Sequence, residues 1–281
     1  MTTLLQISDP HFGTERPSVM DALRRLSQQL TPDVLVLSGD ITQRARATQF
    51  SAARTFVDSL GIGTLLAIPG NHDIPLYNVA ARVLRPYANH RRAFGNELEP
   101  MLDTGDLLVL CVNTTRWYRH EDGEVSAAQV LRVARRLEAA RPGQLRVVVT
   151  HQPVAVTRPQ DKKNVLRGGD DAIRRWSRAG CDLILGGHIH LPFVLPLHER
   201  QAGLARRIWA VQAGTALSTR VRHEAGNSVN VVRCGAGSAA VAATGGGRRA
   251  TVERWDYDER SHSFGCRSVD DFVLDGACAD A

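Results

Sequence analysis

Short apolar runs recur along the chain, each cut off by a turn-forming or polar residue. They are Leu4-Leu5-Gln6-Ile7, Val34-Leu35-Val36-Leu37, Leu65-Leu66-Ala67-Ile68, Leu107 to Val112, Val147-Val148-Val149 and Leu183-Ile184-Leu185. Runs of this length bounded by Gly, Pro or Asp read as strands buried on both faces, the pattern of a parallel sheet. Between them apolar residues recur at helical spacing, as in Val19, Leu23, Leu26 and Leu30, then Phe50, Ala53, Val57 and Leu60. Ser126-Ala-Ala-Gln129 has the form of a capping box and opens a helix with Val130, Ala134 and Leu137 on one face. A further helix is expected around Asp171 to Ala179. This β-α-β-α-β order with short links demands helical crossovers between parallel strands.

Two segments break the pattern. Residues from about Pro75 to Pro100 predict a helical insertion, or cap, near the ends of the strands. Beyond His190 the runs shorten and alternate with turn residues, giving candidate strands at Phe193–Leu197, Ile208–Ala213, Val229–Val232 and Ala250–Tyr257. Local hairpins there predict a second, antiparallel-rich sheet, built from about residues 193–260, facing the first. The Gly/Ala-rich residues 235–249 read as a flexible hairpin loop, and the tail after about Asp270 as only partly ordered. With no linker and no internal repeat, residues 1–281 form a single domain.

Composition narrows the class only a little. A hydrophobic content of 43% and a charged content of 23% are those of an ordinary soluble globular protein. No apolar run approaches the roughly 20 residues of a membrane span. The start of the chain, Met1 to Gln6, lacks the basic region and cleavage site of a secretory signal, so a cytoplasmic location is expected. Five scattered cysteines, none in a CxxC pair, suggest neither a disulfide framework nor a thiolate metal site. The formal charge of +6 permits anionic partners without requiring nucleic acid.

The chemistry lies where the apolar runs stop. Five strand ends carry Asp9 and His11, then Asp40, then Asn71 and His72, then His151, and finally His188 and His190. Singly, such residues are turn formers or hydrogen-bonded side chains. A parallel sheet, however, places successive strand ends on one edge, so these residues are expected to converge. Two carboxylates, an amide oxygen and several imidazoles without thiolate suit divalent Mn, Fe or Zn. Their number exceeds the needs of one tetrahedral ion and fits two bridged by Asp40, a pair commonly roughly 3.5–4 Å apart.

In this arrangement the chain resembles the calcineurin-like metallophosphoesterase superfamily. The pattern DxH, GD, GNHD, H and GHxH stands here as Asp9-Pro-His11, Gly39-Asp40, Gly70-Asn-His-Asp73, His151 and Gly187-His-Ile-His190, in family order across residues 9 to 190. The resemblance implies an α/β four-layer sandwich in which two facing mixed β-sheets are flanked by helices, with a dinuclear metal site at the strand ends. One ion would be held by Asp9, His11, Asp40 and His190, and the other by Asp40, Asn71, His151 and His188. His72 would not be a ligand but would face the leaving group, oriented by Asp73. The expected cofactors are two divalent metal ions, Mn or an Fe/Mn pair preferred, and the implied reaction is in-line attack of a metal-bridging hydroxide on phosphorus.

The branch is read from departures. Gly39-Asp-Ile-Thr-Gln-Arg44 and GNHD disfavour the protein Ser/Thr phosphatases, which carry GDxxDRG and GNHE. His72 counts against the UDP-diacylglucosamine hydrolases, which typically have Arg there. Pro10 replaces a common Leu and touches no ligand position. The chain looks most like the bacterial class III cyclic-nucleotide phosphodiesterases, a resemblance that implies a small phosphodiester or nucleotide substrate such as 3′,5′-cAMP; neither a membrane nor stable nucleic-acid binding is expected. The alternatives are a phosphomonoesterase or nucleotide pyrophosphatase of the same superfamily, or a scaffold that kept the shape and lost the chemistry. For the substrate, the basic run Arg158, Lys162, Lys163 and Arg167 is either a phosphate grip or a solvated loop. Arg116 to His120 is either a base-stacking platform or packing, and Asn113, Thr215 and Arg220 stand at other strand ends.

Overall fold

The computed structural model describes residues 1–235 and 248–275, and along them strands and helices alternate as the apolar pattern requires. β1 (Thr2–Ile7), α1 (Pro17–Leu30), β2 (Val34–Ser38), α2 (Ala47–Asp58) and β3 (Thr64–Ile68) form the opening unit. The expected insertion holds two short helices, α3 (Val79–Leu84) and α4 (Ala88–Phe94). β4 (Met101–Asp103), β5 (Leu107–Cys111), α5 (Ala127–Glu138), β6 (Leu145–Val149), α6 (Gly169–Arg178) and β7 (Leu183–Gly186) form a second unit. β8 (Phe193–Pro196), α7 (Leu197–Arg200), β9 (Trp209–Gln212), β10 (Ser228–Cys234), β11 (Arg249–Asp258) and β12 (Ser263–Val273) complete the chain.

The strands make two sheets of six, ordered β12-β11-β10-β1-β2-β3 and β4-β5-β6-β7-β9-β8. β1, β2 and β3 are parallel, as are β5, β6, β7 and β9, while the outer strands run antiparallel. The antiparallel strands are therefore divided, contrary to the expectation that residues 193–260 build one second sheet. β8 and β9 extend the sheet of β5–β7, whereas β10 pairs with β1 and carries β11 and β12 with it. The tail also orders further than its polarity suggests: β12 reaches Val273, with Phe272 and Leu274 buried. Residues 236–247 of the Gly/Ala-rich segment, and Cys278, lie outside the described residues, and Arg249 at the segment's end already belongs to β11.

Alternation along each strand explains the four layers. Leu4, Val34, Val36 and Leu66 face Leu107, Val109, Val147 and Leu183 in the core between the sheets. Leu5, Ile7, Leu35 and Leu37 point outward to α1 and α2, and Leu108, Leu110, Val148 and Ile184 to α5 and α6. Ser126 caps α5, its hydroxyl accepting from the Gln129 N–H. Among the described residues no helix is long and apolar enough to cross a membrane.

The inter-sheet core turns polar towards the carboxyl ends of the parallel strands. The Gln6 amide donates to Ser38 Oγ at 3.0 Å within its own sheet and to the Gly186 carbonyl at 3.1 Å across the gap. Asn230 donates to Gln6 Oε1 at 3.0 Å, and Gln212 donates to the Gly187 carbonyl. A buried network with its partners met fixes a unique register between two sheets. It ties the ends of β1 and β2 to the end of β7, where the chemistry is.

Candidate metal centre

Five residues singled out by the strand-end pattern share an unusual backbone. Asp9, His11, Asp40, His188 and His190 have φ of 50°, 45°, 49°, 72° and 54°, in the left-handed region. A non-glycine residue there costs about 1–2 kcal/mol, and strain concentrated at one place points to a site that needs it. The turns also leave no room for side chains. A Cβ on Gly39 would run into the His151 imidazole, and one on Gly187 into Ser8 and the Asp9 carboxylate. The glycines of the GD and GGHxH motifs are thus set by close approach of the two sheets.

The strand ends assemble two triads. Asp9, His11 and His190 offer donor atoms within 4.8 Å of one another, as do Asp40, His151 and His188. In the first, His11 Nε2 lies 3.1 Å from His190 Nε2, and Asp9 Oδ1 lies 3.2 Å from His190 Nε2. In the second, His151 Nε2 lies 3.2 Å from Asp40 Oδ1 and 3.2 Å from Asn71 Oδ1. Asp40 turns its other oxygen to the first triad, with Oδ2 3.7 Å from His11 Nε2. Among the seven, only Asn71 and His188 are not buried.

These contacts are explained by cations between them. His151 Nδ1 donates to the Ser38 carbonyl at 2.9 Å, which leaves the Nε2 lone pair facing two oxygens. His190 Nδ1 likewise donates to the Arg220 carbonyl at 2.6 Å, so its Nε2 lone pair faces His11 and Asp9. A backbone acceptor on the far nitrogen is the usual way a metal-binding imidazole is oriented. Asp9 Oδ1 and His188 Nδ1 are buried with no hydrogen-bond partner. The residues present therefore fit two divalent ions, one against Asp9, His11 and His190 and one against Asn71, His151 and His188, with Asp40 between.

Without a cation, protons take its place. Burial alone would push His151 down, but Asp40 and then Asp9 outweigh it and lift the ring to about 9. His190 is also raised, Asp9 overcoming burial. Burial dominates at His11, pushed down to about 3, and at His188, pushed down to about 4 with help from His151. Burial opposes ionisation of Asp40 and Asp9 too, yet the neighbouring histidines hold both carboxyls below the usual range.

His72 and Asp73 are placed differently from each other. His72 borders the first triad, its ring 4.9 Å from that of His11, while its N–H donates to Asp40 Oδ1 at 2.8 Å. Asp73 does not orient that ring, contrary to the expectation from the motif. Its oxygens accept from Ile41 N and Gly70 N, each at 2.9 Å, and from Thr42 N and Thr42 Oγ1, each at 2.8 Å. All four donors belong to the turns that carry Asp40 and Asn71, so Asp73 clamps those turns together. The His72 ring is held instead by the Gln43 carbonyl, 3.0 Å from Nδ1.

The substrate-side candidates sort by what they touch. Arg158 pairs with Glu224 and Arg167 with Asp122, while Lys162 and Lys163 are exposed, so the basic run is mostly a paired surface loop. Arg116 is committed to Glu124, Gln129 and two carbonyls, and Arg119 to Glu124. Asn113 accepts from Thr115, and Thr215 Oγ1 donates to the Asp9 carbonyl at 2.6 Å, a supporting role for the turn. Trp117 remains half-exposed beside Tyr118. The residue that sequence reasoning underweighted is Arg220, whose Nη1 lies 3.0 Å from His72 Nε2 and 3.5 Å from His11 Nδ1. Its only signal in the chain was a position eight residues past a strand end (Gln212).

The comparisons agree with this geometry. A family model described as calcineurin-like phosphoesterase matches residues 2–192. Among solved structures, a purple acid phosphatase from yellow lupin superposes with a TM-score of 0.73 at 11% identity, covering 96% of this chain and 53% of the lupin chain. The chain thus spans about half the length of that protein. A dimetal phosphatase from Danio rerio gives a TM-score of 0.63 at 11% identity, covering 98% and 99% of the two chains. Vacuolar Protein Sorting 29 from Cryptosporidium parvum gives 0.50 at 12% identity, covering 97% and 98%. At such identities the likeness is one of fold. No protein with curated annotation matches the sequence.

Proposed function

Because the chain belongs to the calcineurin-like phosphoesterase family, we propose that it is a metal-dependent phosphodiesterase cleaving a small nucleotide-like substrate such as 3′,5′-cAMP. One observation carries the reading. Asp40 presents Oδ2 to one donor triad and Oδ1 to the other, 3.7 Å from His11 and 3.2 Å from His151. Two ions held by these residues would supply Lewis acidity towards a water and the phosphoryl oxygens. The rest of the work belongs to the chain. Asp73 and Thr42 hold the turns that set the separation of Asp40 and Asn71, and the Ser38 and Arg220 carbonyls fix the tautomers of His151 and His190. A scaffold that had lost its chemistry would show gaps among these positions, and here each is filled.

The cap helices and the loop before α2 border an open cleft of about 400 Å³, lined in part by Ala45, Asn78, Leu84 and Arg85, which meets Asp73 but none of the metal-ligand positions. Trp117 offers an aromatic face on the loop that accepts a hydrogen bond from Arg82 of α3. With GNHD and a helical cap after it, the bacterial class III cyclic-nucleotide phosphodiesterases are the subgroup we place it nearest, with Mn or an Fe/Mn pair as the working metals and no stable nucleic-acid partner. A phosphomonoesterase or nucleotide pyrophosphatase gains from one feature, the Arg220 cation beside the centre, which suits a more highly charged phosphoryl group.

Hydrolysis of bis(p-nitrophenyl) phosphate, p-nitrophenyl phosphate, 2′,3′-cAMP and 3′,5′-cAMP by Mn-loaded protein separates these readings. Faster turnover of the diesters is the expected outcome. A preference for the monoester would transfer the assignment to the alternative, and no turnover of any phosphoester would overturn the enzyme reading.

A further inference from the structure

The expected leaving-group residue is held with both ring nitrogens engaged inside the protein. The Gln43 carbonyl can only accept, so His72 Nδ1 carries the ring proton. The Arg220 guanidinium can only donate, so His72 Nε2, 3.0 Å from Arg220 Nη1, presents its lone pair. A neutral His72 in this pose has no N–H to give to an oxygen on the substrate side. The donors on that side are those of Arg220.

Arg220 is built into the site. Its carbonyl receives the His190 ring, and its own N–H donates to Ser218 Oγ at 3.1 Å. Ser218 is bonded in turn to Thr215, which anchors the Asp9 carbonyl. The backbone at residue 220 is therefore fixed to both ends of the first triad. Its side chain is not spent on a carboxylate. Arg222 and Arg158 nearby pair with Asp161 and Glu224, but among the described residues Arg220 has no acidic partner. Nη1 donates to His72 Nε2 and to Gln43 Oε1 at 3.3 Å and only passes His11 Nδ1, 3.5 Å away, while Nε and Nη2 make no hydrogen bond among the described residues. A planar fork with one edge held and the other free is the form in which arginine binds phosphoryl oxygens.

We propose that Arg220 is a substrate-contacting residue that donates to a nonbridging phosphoryl oxygen and stabilises the charge developing on it, and that His72 and Gln43 are positioning residues that aim it. No bond to arginine forms or breaks; the contribution is electrostatic and strengthens as the phosphoryl group gains charge. The inference rests on the phosphoesterase reading.

The test uses Mn-loaded wild type, Arg220→Ala and Arg220→Lys, each first shown to hold the same metal content, with bis(p-nitrophenyl) phosphate turnover and calorimetric binding of inorganic phosphate as readouts. For Arg220→Ala we expect kcat/KM to fall on the order of 100-fold, phosphate binding to weaken about tenfold or more, and added guanidinium to restore part of the rate. Arg220→Lys should recover charge but not the fork, and so lie between the two. Wild-type rates and phosphate affinity in Arg220→Ala would overturn the proposal, as would a loss of rate that neither guanidinium nor Lys relieves. If wild type hydrolyses nothing, the phosphoesterase reading falls by itself. Phosphate affinity then still decides whether Arg220 grips the anion, and an unchanged value overturns that.

Discussion

Asp73→Asn changes one oxygen to nitrogen at a buried position where both oxygens are saturated, and the structure sets the cost. Oδ2 accepts from Ile41 N and Gly70 N; Oδ1 accepts from Thr42 N and the Thr42 hydroxyl. An amide nitrogen on the Oδ2 side would face two backbone N–H groups and strand both. On the Oδ1 side the Thr42 hydroxyl can turn its proton to the His72 carbonyl, 3.5 Å away, and only Thr42 N–H is stranded. The variant should adopt the second arrangement, at about 1–3 kcal/mol for the lost bond plus the charge assistance removed from the others. Part of this is offset, because burial and then Asp40 lift the carboxyl to about 6, an unfavourable term that Asn removes. A net loss of about 2 kcal/mol corresponds to a Tm lowered by roughly 4–8 °C in a chain of this size.

The sign of the pH dependence follows from the same lift. Between 3.8 and about 6 the native state of the metal-free wild type binds more protons at Asp73 than the unfolded chain does, so this group's contribution falls as pH rises through that window. Asp73→Asn should lack that component. Thermal unfolding of metal-loaded and metal-free protein, with turnover measured well below Tm, distinguishes the roles. Full stability combined with a rate loss confined to poor leaving groups would refute the clamp and restore Asp73 as the orienter of His72.

Asp40→Ala should lose both ions together, read by metal analysis after gel filtration, since the one carboxylate turned to both triads is gone; one firmly retained metal would contradict bridging. Gly39→Ala forces a Cβ onto φ +98° and into the His151 ring. It should cost at least about 1–2 kcal/mol in unfolding experiments and weaken the ion at His151 more than the one at His11. Metal binding should release protons near neutral pH, because His151 is lifted to about 9 in the metal-free protein and must deprotonate to ligate. Binding therefore tightens as pH rises towards that value, and calorimetry in buffers of different ionisation enthalpy should count the protons. In the metal-free protein the same group stabilises fully below 6.5 and loses that contribution as pH rises through about 9.

What could be read from the chain was set by local pattern. Buried parallel strands announce themselves as apolar runs, and a polar residue straight after such a run can only lie at the sheet edge, so Asp9, Asp40, Asn71, His151 and His188 were visible as a group. The four layers follow once Leu4 and Leu5, or Val34 and Leu35, are seen to face opposite ways. Sheet membership was not legible for β10–β12, because an antiparallel strand carries no mark of which edge it joins; the β1–β10 pairing is a contact across more than 200 residues. β12 is not legible because every residue from Gly265 to Val269 is exposed on an edge strand and no apolar run marks it. The role of Asp73 is not legible because adjacency to His72 in sequence is not adjacency of side chains, and the short 3₁₀ turn at Asn71–Asp73 sends the two in different directions. Arg220 is obscure in the sequence for a similar reason: the loop from Thr215 to Arg220 is fixed by hydrogen bonds to Asp9 and His190, which no spacing encodes.

The central claim is a pair of ions sharing Asp40. Anomalous diffraction from crystals grown with Mn²⁺ tests it most directly. Two peaks are expected, roughly 3.5–4 Å apart, one against Asp9, His11 and His190, the other against Asn71, His151 and His188, with Asp40 Oδ2 and Oδ1 turned to them respectively. A single peak at saturating metal, or two peaks that do not share Asp40, would contradict the account.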